Sequence, residues 1–271
     1  MIQTDLLDYL VASVQSGSKY SQIDPDLIRW LGRQELAKYS SFTAALKATR
    51  SKLHQVAAVY QPHGIDYNYW NDELDKISRD PDDSVLKDFC KQLMLQHAST
   101  RERLPILDTF YSQVLSSISP IHSILDFACG VNPLAIPWMS LADNAYYFAC
   151  DIYIDLVNFL NHFFFHIHRN GNATTIDLTH FIPTERVELA LLLKTLPCLE
   201  QLDKTIGSKL LDSINASYIL ISYPSHSLGG HSKGMLQNYE GRFHQLMAGR
   251  SWTYQRFSYP SELAFLVKTN L

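Results

Sequence analysis

The sequence predicts an α/β fold, in which a mostly parallel sheet is covered by helices on both faces and follows a helical N-terminal region. After residue 120, short apolar runs alternate with helix-compatible stretches, which is typical of parallel strands joined by crossover helices. The first hundred residues show no strand-like alternation. We therefore place a boundary near residues 95–105 and expect a helical domain over 1–98 and a sheet domain over 99–271.

Two helix starts in the N-terminal region share one signal, an acidic residue followed by proline. Asp24 precedes Pro25, and Asp80 precedes Pro81. An acidic side chain caps free N–H groups at a helix start, and proline fits the first helical position because it lacks an N–H that would be unpaired there. Apolar residues at helical spacing follow each signal, beginning at Leu27 in the first case.

The C-terminal part contains alternating candidate strands and helices. Strands are expected near 123–127, 146–150, 173–177, 187–193 and 217–223, and helices near 134–141, 152–168, 199–214 and 235–247. Two late runs, Trp252–Ser258 and Leu263–Lys268, are close together along the chain and are expected to form an antiparallel pair at a sheet edge.

One segment points to a cofactor site. An apolar run ends at Asp126, a turn of small residues contains Ala128 and Gly130, and a second apolar run ends at Asp151, twenty-one residues after Gly130. The order strand, tight turn, helix, strand and acid is that of Rossmann-like sites for adenosine-containing cofactors. The turn lets the backbone approach the ligand, and the acid accepts hydrogen bonds from ribose hydroxyls.

The turn distinguishes between two cofactor classes. Dinucleotides need a pyrophosphate cradle, but Pro133 stands where the third small residue of that cradle would be and removes a backbone donor. S-Adenosylmethionine carries no phosphate and tolerates this turn. The sequence therefore favours S-adenosylmethionine over a nicotinamide cofactor, with a ligand-free α/β core as the alternative.

Composition and charge narrow the function classes. The 271 residues carry a formal net charge of −4, so any contact with nucleic acid must rest on a local patch. The four cysteines form no C-x-x-C pair and no zinc spacing with histidine, so we expect no metal site and a reduced, cytoplasmic protein. No apolar run approaches membrane-spanning length and no extended interaction face is evident, so we expect a monomer without a membrane partner.

A basic span in the helical region is the candidate patch for RNA. It contains a single acid, Glu35, among several cations. The cations that we expect to contact a phosphate backbone are Arg29, Arg33, Lys47, Arg50 and Lys52. A solvated helix face without a partner explains the same pattern equally well.

Several motifs together resemble one enzyme family. They are His97-Ala-Ser-Thr-Arg-Glu-Arg-Leu104, Leu107-Asp-Thr-Phe-Tyr111, Leu125-Asp-Phe-Ala-Cys-Gly-Val-Asn-Pro-Leu-Ala135, Lys194-Thr-Leu-Pro-Cys-Leu-Glu200 and Ser222-Tyr-Pro-Ser-His-Ser-Leu-Gly-Gly-His-Ser-Lys-Gly-Met235, with Ser18-Lys-Tyr20 and Thr49-Arg-Ser-Lys-Leu-His54 nearer the N-terminus. In these segments the chain is similar to the aminoglycoside-resistance methyltransferases that modify guanine-1405 of 16S ribosomal RNA at N7. The resemblance covers most of the chain. It implies a class I methyltransferase sheet, S-adenosylmethionine as cofactor, and a helical extension that docks on the small (30S) ribosomal subunit.

The resemblance also implies roles at matching positions. Arg103 would hold the methionine carboxylate, for which a guanidinium fork is well suited, with Arg101 as a rival. Asp151 would bind the ribose and Asp177 the adenine, and each is alternatively a cap or turn residue. Lys194 would lie near the cofactor or the target base. The remaining cofactor-binding positions are His97, Ser99, Thr100, Ala128, Gly130, Ile152 and Leu178.

Methylation of guanine N7 needs no general base, because N7 carries a lone pair and no proton. No catalytic dyad is therefore expected, and the protein has mainly to position the base, with Lys194 and Tyr223 as candidates. Core packing is the alternative for Tyr223. The loop after Pro224 follows a strand end, where open α/β sheets bind substrates. Its RNA-binding candidates are His226, Ser227, Lys233 and Met235.

Two histidines set this loop apart from the family pattern. His226 and His231 stand where family members usually carry arginines, and histidine is mostly neutral near pH 7. We expect weaker contacts with phosphate and a steeper pH dependence of RNA binding. The alternative functions are methylation of another RNA site or of a small molecule, and ribosome binding by a protein with an inactive cofactor pocket.

Overall fold

The computed structural model describes residues 2–61, 64–225 and 234–271. Its N-terminal region is helical, with α1 (Ile2–Gln15), α2 (Pro25–Lys38), α3 (Phe42–Val56), α4 (Tyr67–Asp75), α5 (Asp83–Met94), α6 (Ala98–Arg103) and α7 (Leu107–Val114). The start of α2 is as predicted, because the Asp24 carboxylate accepts a hydrogen bond from the backbone N–H of Asp26. The start of α5 differs, since its cap position is Asp82 and this side chain makes no capping bond.

The described strands form one seven-stranded sheet that follows the helical region. The strands are β1 (Ile121–Phe127), β2 (Leu141–Asp151), β3 (Asn170–Thr175), β4 (Val187–Leu193), β5 (Ala216–Pro224), β6 (Thr253–Ser258) and β7 (Glu262–Lys268), in the spatial order β3-β2-β1-β4-β5-β7-β6. The first five strands in that order run parallel, and β7 is antiparallel to both β5 and β6. Both the α/β prediction and the antiparallel pair at a sheet edge are confirmed.

Four helices accompany these strands in the described part of the chain. They are α8 (Ile154–His166), α9 (Thr195–Leu199), α10 (Ile206–Ser213) and α11 (Met235–Met247). The chain order places α8 between β2 and β3, and α9 and α10 between β4 and β5. None of the described helices combines the length and the apolar character that a membrane crossing requires.

Several element predictions were wrong in detail, and two of the differences have a local cause. The helix expected over 134–141 is a 3-10 segment, Asn132–Trp138, because prolines at 133 and 137 remove helical N–H donors. The helix expected over 199–214 is divided into α9 and α10 by a turn in which the Asp203 carboxylate accepts bonds from the Thr205 N–H and hydroxyl. The third strand begins at Asn170 and ends at Thr175, two residues before Asp177.

The largest hydrophobic core joins the helical region to the sheet. It includes Leu31 of α2 and Trp70 of α4 together with Phe159 of α8 and Leu191 of β4. Direct backbone contacts also join the two parts, because the Asp24 N–H donates to the Ile152 carbonyl oxygen at 2.8 Å. The division at residues 98 and 99 remains a prediction, and it falls within a continuous apolar core.

Candidate cofactor site

A tight turn after β1 forms the floor of the candidate site. Ala128 and Gly130 both have left-handed backbone conformations, each with φ of 49°. A Cβ atom on Gly130 would lie 2.9 Å from Cε1 and 3.0 Å from Nε2 of the His97 ring. Only glycine fits both the conformation and the space, so the sequence prediction of a small-residue turn has a steric basis.

Asp151 closes this turn from the end of β2. One carboxylate oxygen accepts a hydrogen bond from the Gly130 N–H at 2.8 Å. The other accepts from the N–H groups of Ile152 and Tyr153 at 2.7 and 3.3 Å. Burial raises the pKa of Asp151 in spite of these three bonds, which favour the charged form. The carboxylate therefore has a structural role, and its remaining lone pairs can still accept from a ligand hydroxyl.

All predicted cofactor-binding residues line a single cavity at the carboxyl ends of the strands. Its empty space, including the open mouth, is about 910 Å³. The predicted residues in its lining are His97, Ser99, Thr100, Arg103, Ala128, Gly130, Asp151, Ile152, Asp177, Leu178 and Lys194. Residues of the helical region that sequence reasoning missed also line it, namely Leu27, Val56, Ala57, Tyr60 and Gln61.

His97 and Tyr60 form one wall of the cavity. Their rings stack with centroids 6.0 Å apart, and the Tyr60 hydroxyl lies 2.8 Å from Sγ of Cys198. Burial, with smaller contributions from Lys194 and Arg103, lowers the pKa of His97 to about 4, so its imidazole is neutral near pH 7. Its buried Nδ1 has no hydrogen-bond partner among the described residues.

Arg103 lies at the centre of a buried polar network. Its Nε and Nη2 donate to the two carboxylate oxygens of Glu262 at 2.9 and 2.8 Å, and its Nη1 donates to the Asn132 side-chain oxygen at 2.9 Å. Burial alone would raise the pKa of Glu262, but the charges of Arg103 and Lys194 outweigh it and hold that pKa below its ordinary value. The rival Arg101 is exposed and does not line the cavity.

Lys194 joins this network from the end of β4. Its Nζ donates to Glu102 at 2.8 Å and to the Ser99 carbonyl oxygen at 3.2 Å, and it lies 3.7 Å from Glu262. Its φ of 59° is left-handed, a conformation that costs a non-glycine residue about 1–3 kcal/mol and is common at functional sites. The lysine is 5% exposed, so its charge is balanced within the protein.

Asp177 faces the cavity from a turn that follows β3. One carboxylate oxygen accepts from the Thr179 N–H and hydroxyl at 2.9 and 2.7 Å, and the other lies 2.7 Å from Nδ1 of His180. The alternative assignment as a turn residue therefore describes its present contacts. Its place in the cavity lining is also what adenine recognition would require.

Tyr223 does not have the environment predicted for a base-stacking residue. Its ring is 1% exposed, stacks on Tyr239 at 5.0 Å, and meets the edge of Phe265 at 6.4 Å. A guanine cannot reach this ring in the structure. Core packing, the alternative for Tyr223, describes its contacts, and the side chain does not line the cavity.

The cations predicted to bind RNA have different environments. Arg29 pairs with Asp8 and Asp26, Lys52 pairs with the buried Glu35 at 2.7 Å, and Arg50 donates to the Ser13 carbonyl oxygen. Arg33 and Lys47 are exposed and make no ion pair within the described residues. The pairing with Asp8 was missed because this acid lies outside the basic span. In the loop, His226, Ser227 and Lys233 lie outside the described residues, and Met235 begins α11.

The chemistry of the cavity fits a methionine-containing nucleoside. The unpartnered Nδ1 of His97 is a free acceptor or donor, and Gly130 lines the cavity without a side chain. Carboxylates at Asp151 and Asp177 are suited to hydroxyl and amino groups, and a guanidinium is suited to a carboxylate.

Comparisons with known proteins agree with this fit. A family model described as ribosomal RNA methyltransferase (FmrO) matches residues 16–266. The chain belongs to this family. The 16S rRNA (guanine(1405)-N(7))-methyltransferase of Micromonospora rosea is 33% identical over 265 residues, which cover 97% of each protein. The enzyme of the same name from Serratia marcescens is 29% identical over 96% of this chain and 97% of its own length.

Two solved structures of 16S rRNA methyltransferases resemble this family member to different extents. The 16S rRNA methyltransferase RmtF in complex with S-adenosyl-L-homocysteine has a TM-score of 0.82 at 25% identity and covers 97% of this chain and 98% of its own. The 16S rRNA methylase ArmA has a TM-score of 0.56 at 29% identity and covers 69% of this chain and 97% of its own. The similarity to RmtF therefore includes both the helical region and the sheet.

Proposed function

We propose that this protein transfers a methyl group from S-adenosylmethionine to N7 of guanine-1405 in 16S rRNA of the assembled 30S subunit and so confers aminoglycoside resistance. The observation that carries the proposal is the convergence of every implied cofactor position on one cavity. The names of full-length relatives support the reaction and the nucleotide. We further propose that the enzyme works as a monomer in the cytoplasm.

The proposed roles in the cavity follow from the groups that its side chains offer. Arg103 would bind the methionine carboxylate, because a guanidinium has more N–H groups than the three that bond to Glu262 and Asn132. Asp151 would accept a ribose hydroxyl with the lone pairs left by its backbone contacts. Asp177 would accept from the adenine amino group. His97, neutral because of its lowered pKa, would offer Nδ1 without placing a positive charge beside a cationic donor.

The reaction requires the protein to position the guanine base and requires no proton transfer. Bound S-adenosylmethionine supplies an electrophilic methyl group on a sulfonium. Guanine N7 presents a lone pair, so the chain has no proton to remove and has only to hold the base in line and keep water out. Lys194 is the positioning residue that we propose, because its strained backbone and its bonds to Glu102 fix it at the edge of the cavity. The third N–H of its ammonium group, beyond the two that bond to Glu102 and Ser99, would donate to the phosphate or to O6 of the guanine.

We propose that the helical region and the loop before α11 contact the 30S subunit. Arg33 and Lys47 are the candidates that we favour, since they are exposed and pair with no acid in the described part of the chain. Arg29, Arg50 and Lys52 hold α2 and α3 in place and would support this surface indirectly. Recognition of a folded RNA surface predicts that intact subunits are better substrates than free RNA.

Methyl transfer from labelled S-adenosylmethionine to purified 30S subunits tests the proposal. We expect one methyl group per subunit, mapped to guanine-1405 by cleavage at N7-methylguanine and reverse transcription. Subunits with adenine at position 1405 are the matched control and should take up no label. Equal labelling of protein-free 16S rRNA would contradict recognition of the assembled subunit. Cofactor binding without any transfer would favour the ribosome-binding alternative.

A further inference from the structure

Two histidines and a carboxylate meet where α4 packs on α8. Asp75 is the last residue of α4, and His162 and His166 lie in the last turns of α8. One nitrogen from each histidine and one oxygen of Asp75 lie within 4.8 Å of one another. None of the three residues lines the cofactor cavity, so this cluster is separate from the proposed active site.

The spacing of the two histidines places them on one face of α8. Residues four apart lie one turn above each other on a helix, so both rings point toward the same neighbouring helix. Asp75 Oδ1 is 3.0 Å from His162 Nε2 and 3.7 Å from His166 Nδ1. The carboxylate therefore lies against both rings.

The other nitrogen of each ring is held by an acceptor. His166 Nε2 lies 3.1 Å from the Ile77 carbonyl oxygen, which can only accept, so this nitrogen carries the hydrogen. His162 Nδ1 lies 2.9 Å from the side-chain oxygen of Asn71 and is the donor there. In the neutral rings, the lone pairs then belong to the two nitrogens that face Asp75. Metal-binding histidines are oriented by hydrogen bonds of this kind.

Two lone pairs that face a carboxylate require a positive charge between them. Within the described residues, Asp75 makes no ion pair with lysine or arginine. The adjacent Lys76 is paired with Glu73 at 2.6 Å. A metal ion between the three groups would supply a positive charge there.

We propose that Asp75, His162 and His166 bind one divalent transition-metal ion of the Zn²⁺ type and that the ion clamps α4 to α8. Two imidazole nitrogens and a carboxylate oxygen are common zinc ligands, and a water would complete the shell. Zinc bonds of about 2.0–2.2 Å imply ligand atoms roughly 3.3 Å apart in a tetrahedron. The measured 3.0 and 3.7 Å lie on either side of that value. The ion would join the helical region to the sheet region.

Titration of the full-length, tag-free protein with Co²⁺ and Zn²⁺ after removal of metals with EDTA tests the proposal. Calorimetry should give one site per chain, and Co²⁺ should give a visible spectrum without a thiolate charge-transfer band. At free Zn²⁺ a hundred times the dissociation constant, we expect the Tm to rise by about 5 °C. His162→Gln and Asp75→Asn should each abolish that rise. Asn71→Ala, which removes only the orienting bond, should weaken binding by about 10- to 100-fold.

His122→Gln is the matched control, because His122 also lies beside a single carboxylate, Glu188, but has no second histidine. This variant should bind the metal as the wild type does. Binding that survives in His162→Gln, a thiolate band at the first equivalent, or no saturable binding at all would overturn the proposal. The last result would mean that no metal ion holds the cluster together.

Discussion

The ion pair between Arg103 and Glu262 gives the most direct test of how the cofactor site is held. The two side chains are 1% and 0% exposed and are joined by two hydrogen bonds. Glu262→Gln would leave the guanidinium buried without its counter-charge, which costs about 3–5 kcal/mol in comparable cases. For a chain of this size, that loss corresponds to a fall in Tm of roughly 10 °C.

A second variant separates the stability of the pair from its function. Arg103→Met together with Glu262→Gln removes both charges, so most of the lost stability should return. Asn132 keeps a donor in this variant, because the Tyr111 hydroxyl bonds to the same side-chain oxygen at 2.6 Å. Cofactor affinity should not return. The loss of a hydrogen-bonded charge partner for the methionine carboxylate corresponds to about 10- to 150-fold weaker binding.

Urea unfolding followed by circular dichroism measures the stabilities, with equal m-values as the check that both states are comparable. Calorimetry with S-adenosylhomocysteine measures the affinity, and Arg101→Ala is the control, since this neighbouring arginine is exposed. A cost below about 1 kcal/mol for Glu262→Gln would refute the buried ion pair. Wild-type affinity in the double variant would refute the role of Arg103 in binding the carboxylate.

Three further predictions concern the turn, the buried acid and the docking surface. Gly130→Ala should reduce both the Tm and cofactor binding, because φ at this position is 49° and the new Cβ would lie 2.9 Å from the His97 ring. The double variant with His97→Ala should recover part of the lost Tm, because the ring that the Cβ would meet is gone. Burial raises the pKa of Asp126 to about 7, above its value in the unfolded chain, so stability should fall by up to about 4 kcal/mol as pH rises from about 4 through 7. Asp126→Asn should remove that fall in urea unfolding at pH values across the window. Arg33→Glu and Lys47→Glu should weaken 30S binding and lower its salt dependence by about one counterion each, with unchanged Tm.

The sheet could be predicted where its strands are apolar. β4 and β5 are mostly apolar and most of their residues are buried, so length and composition identify them. The sequence of β3 is Asn-Gly-Asn-Ala-Thr-Thr, and only one of its residues is buried. An edge strand of this composition has too few apolar residues to be located accurately from the sequence. Its neighbour β2 begins five residues earlier than predicted, because its first residues lie at the partly exposed start of the strand.

The site could be predicted where strand ends define it. Asp151 follows an apolar run directly, and the small residues of the turn have no other obvious reason to be there. Two contributors could not be predicted, namely Tyr60, which lines the cavity, and Glu262, which pairs with Arg103. Tertiary packing brings both there from distant parts of the chain. Tyr223 was predicted to be accessible to a base because it lies at a strand end. The sequence does not reveal that the Tyr239 ring stacks on it in the folded chain.

Residues of both parts of the molecule line the cavity in which we propose that the cofactor binds. Close to Asp151, the Ile154 N–H donates to the Gln22 carbonyl oxygen at 2.8 Å, and Ile23 forms an isolated antiparallel bridge with Tyr153. Tyr60 supplies a wall of the same cavity, and Glu102 of α6 neutralises Lys194 of the sheet region. Because these contacts join the helical region to the residues directly after Asp151, a subunit that displaces the helices would also move the cofactor floor. We therefore expect substitutions that loosen this junction to weaken cofactor binding as well as docking, even when they lie far from the RNA.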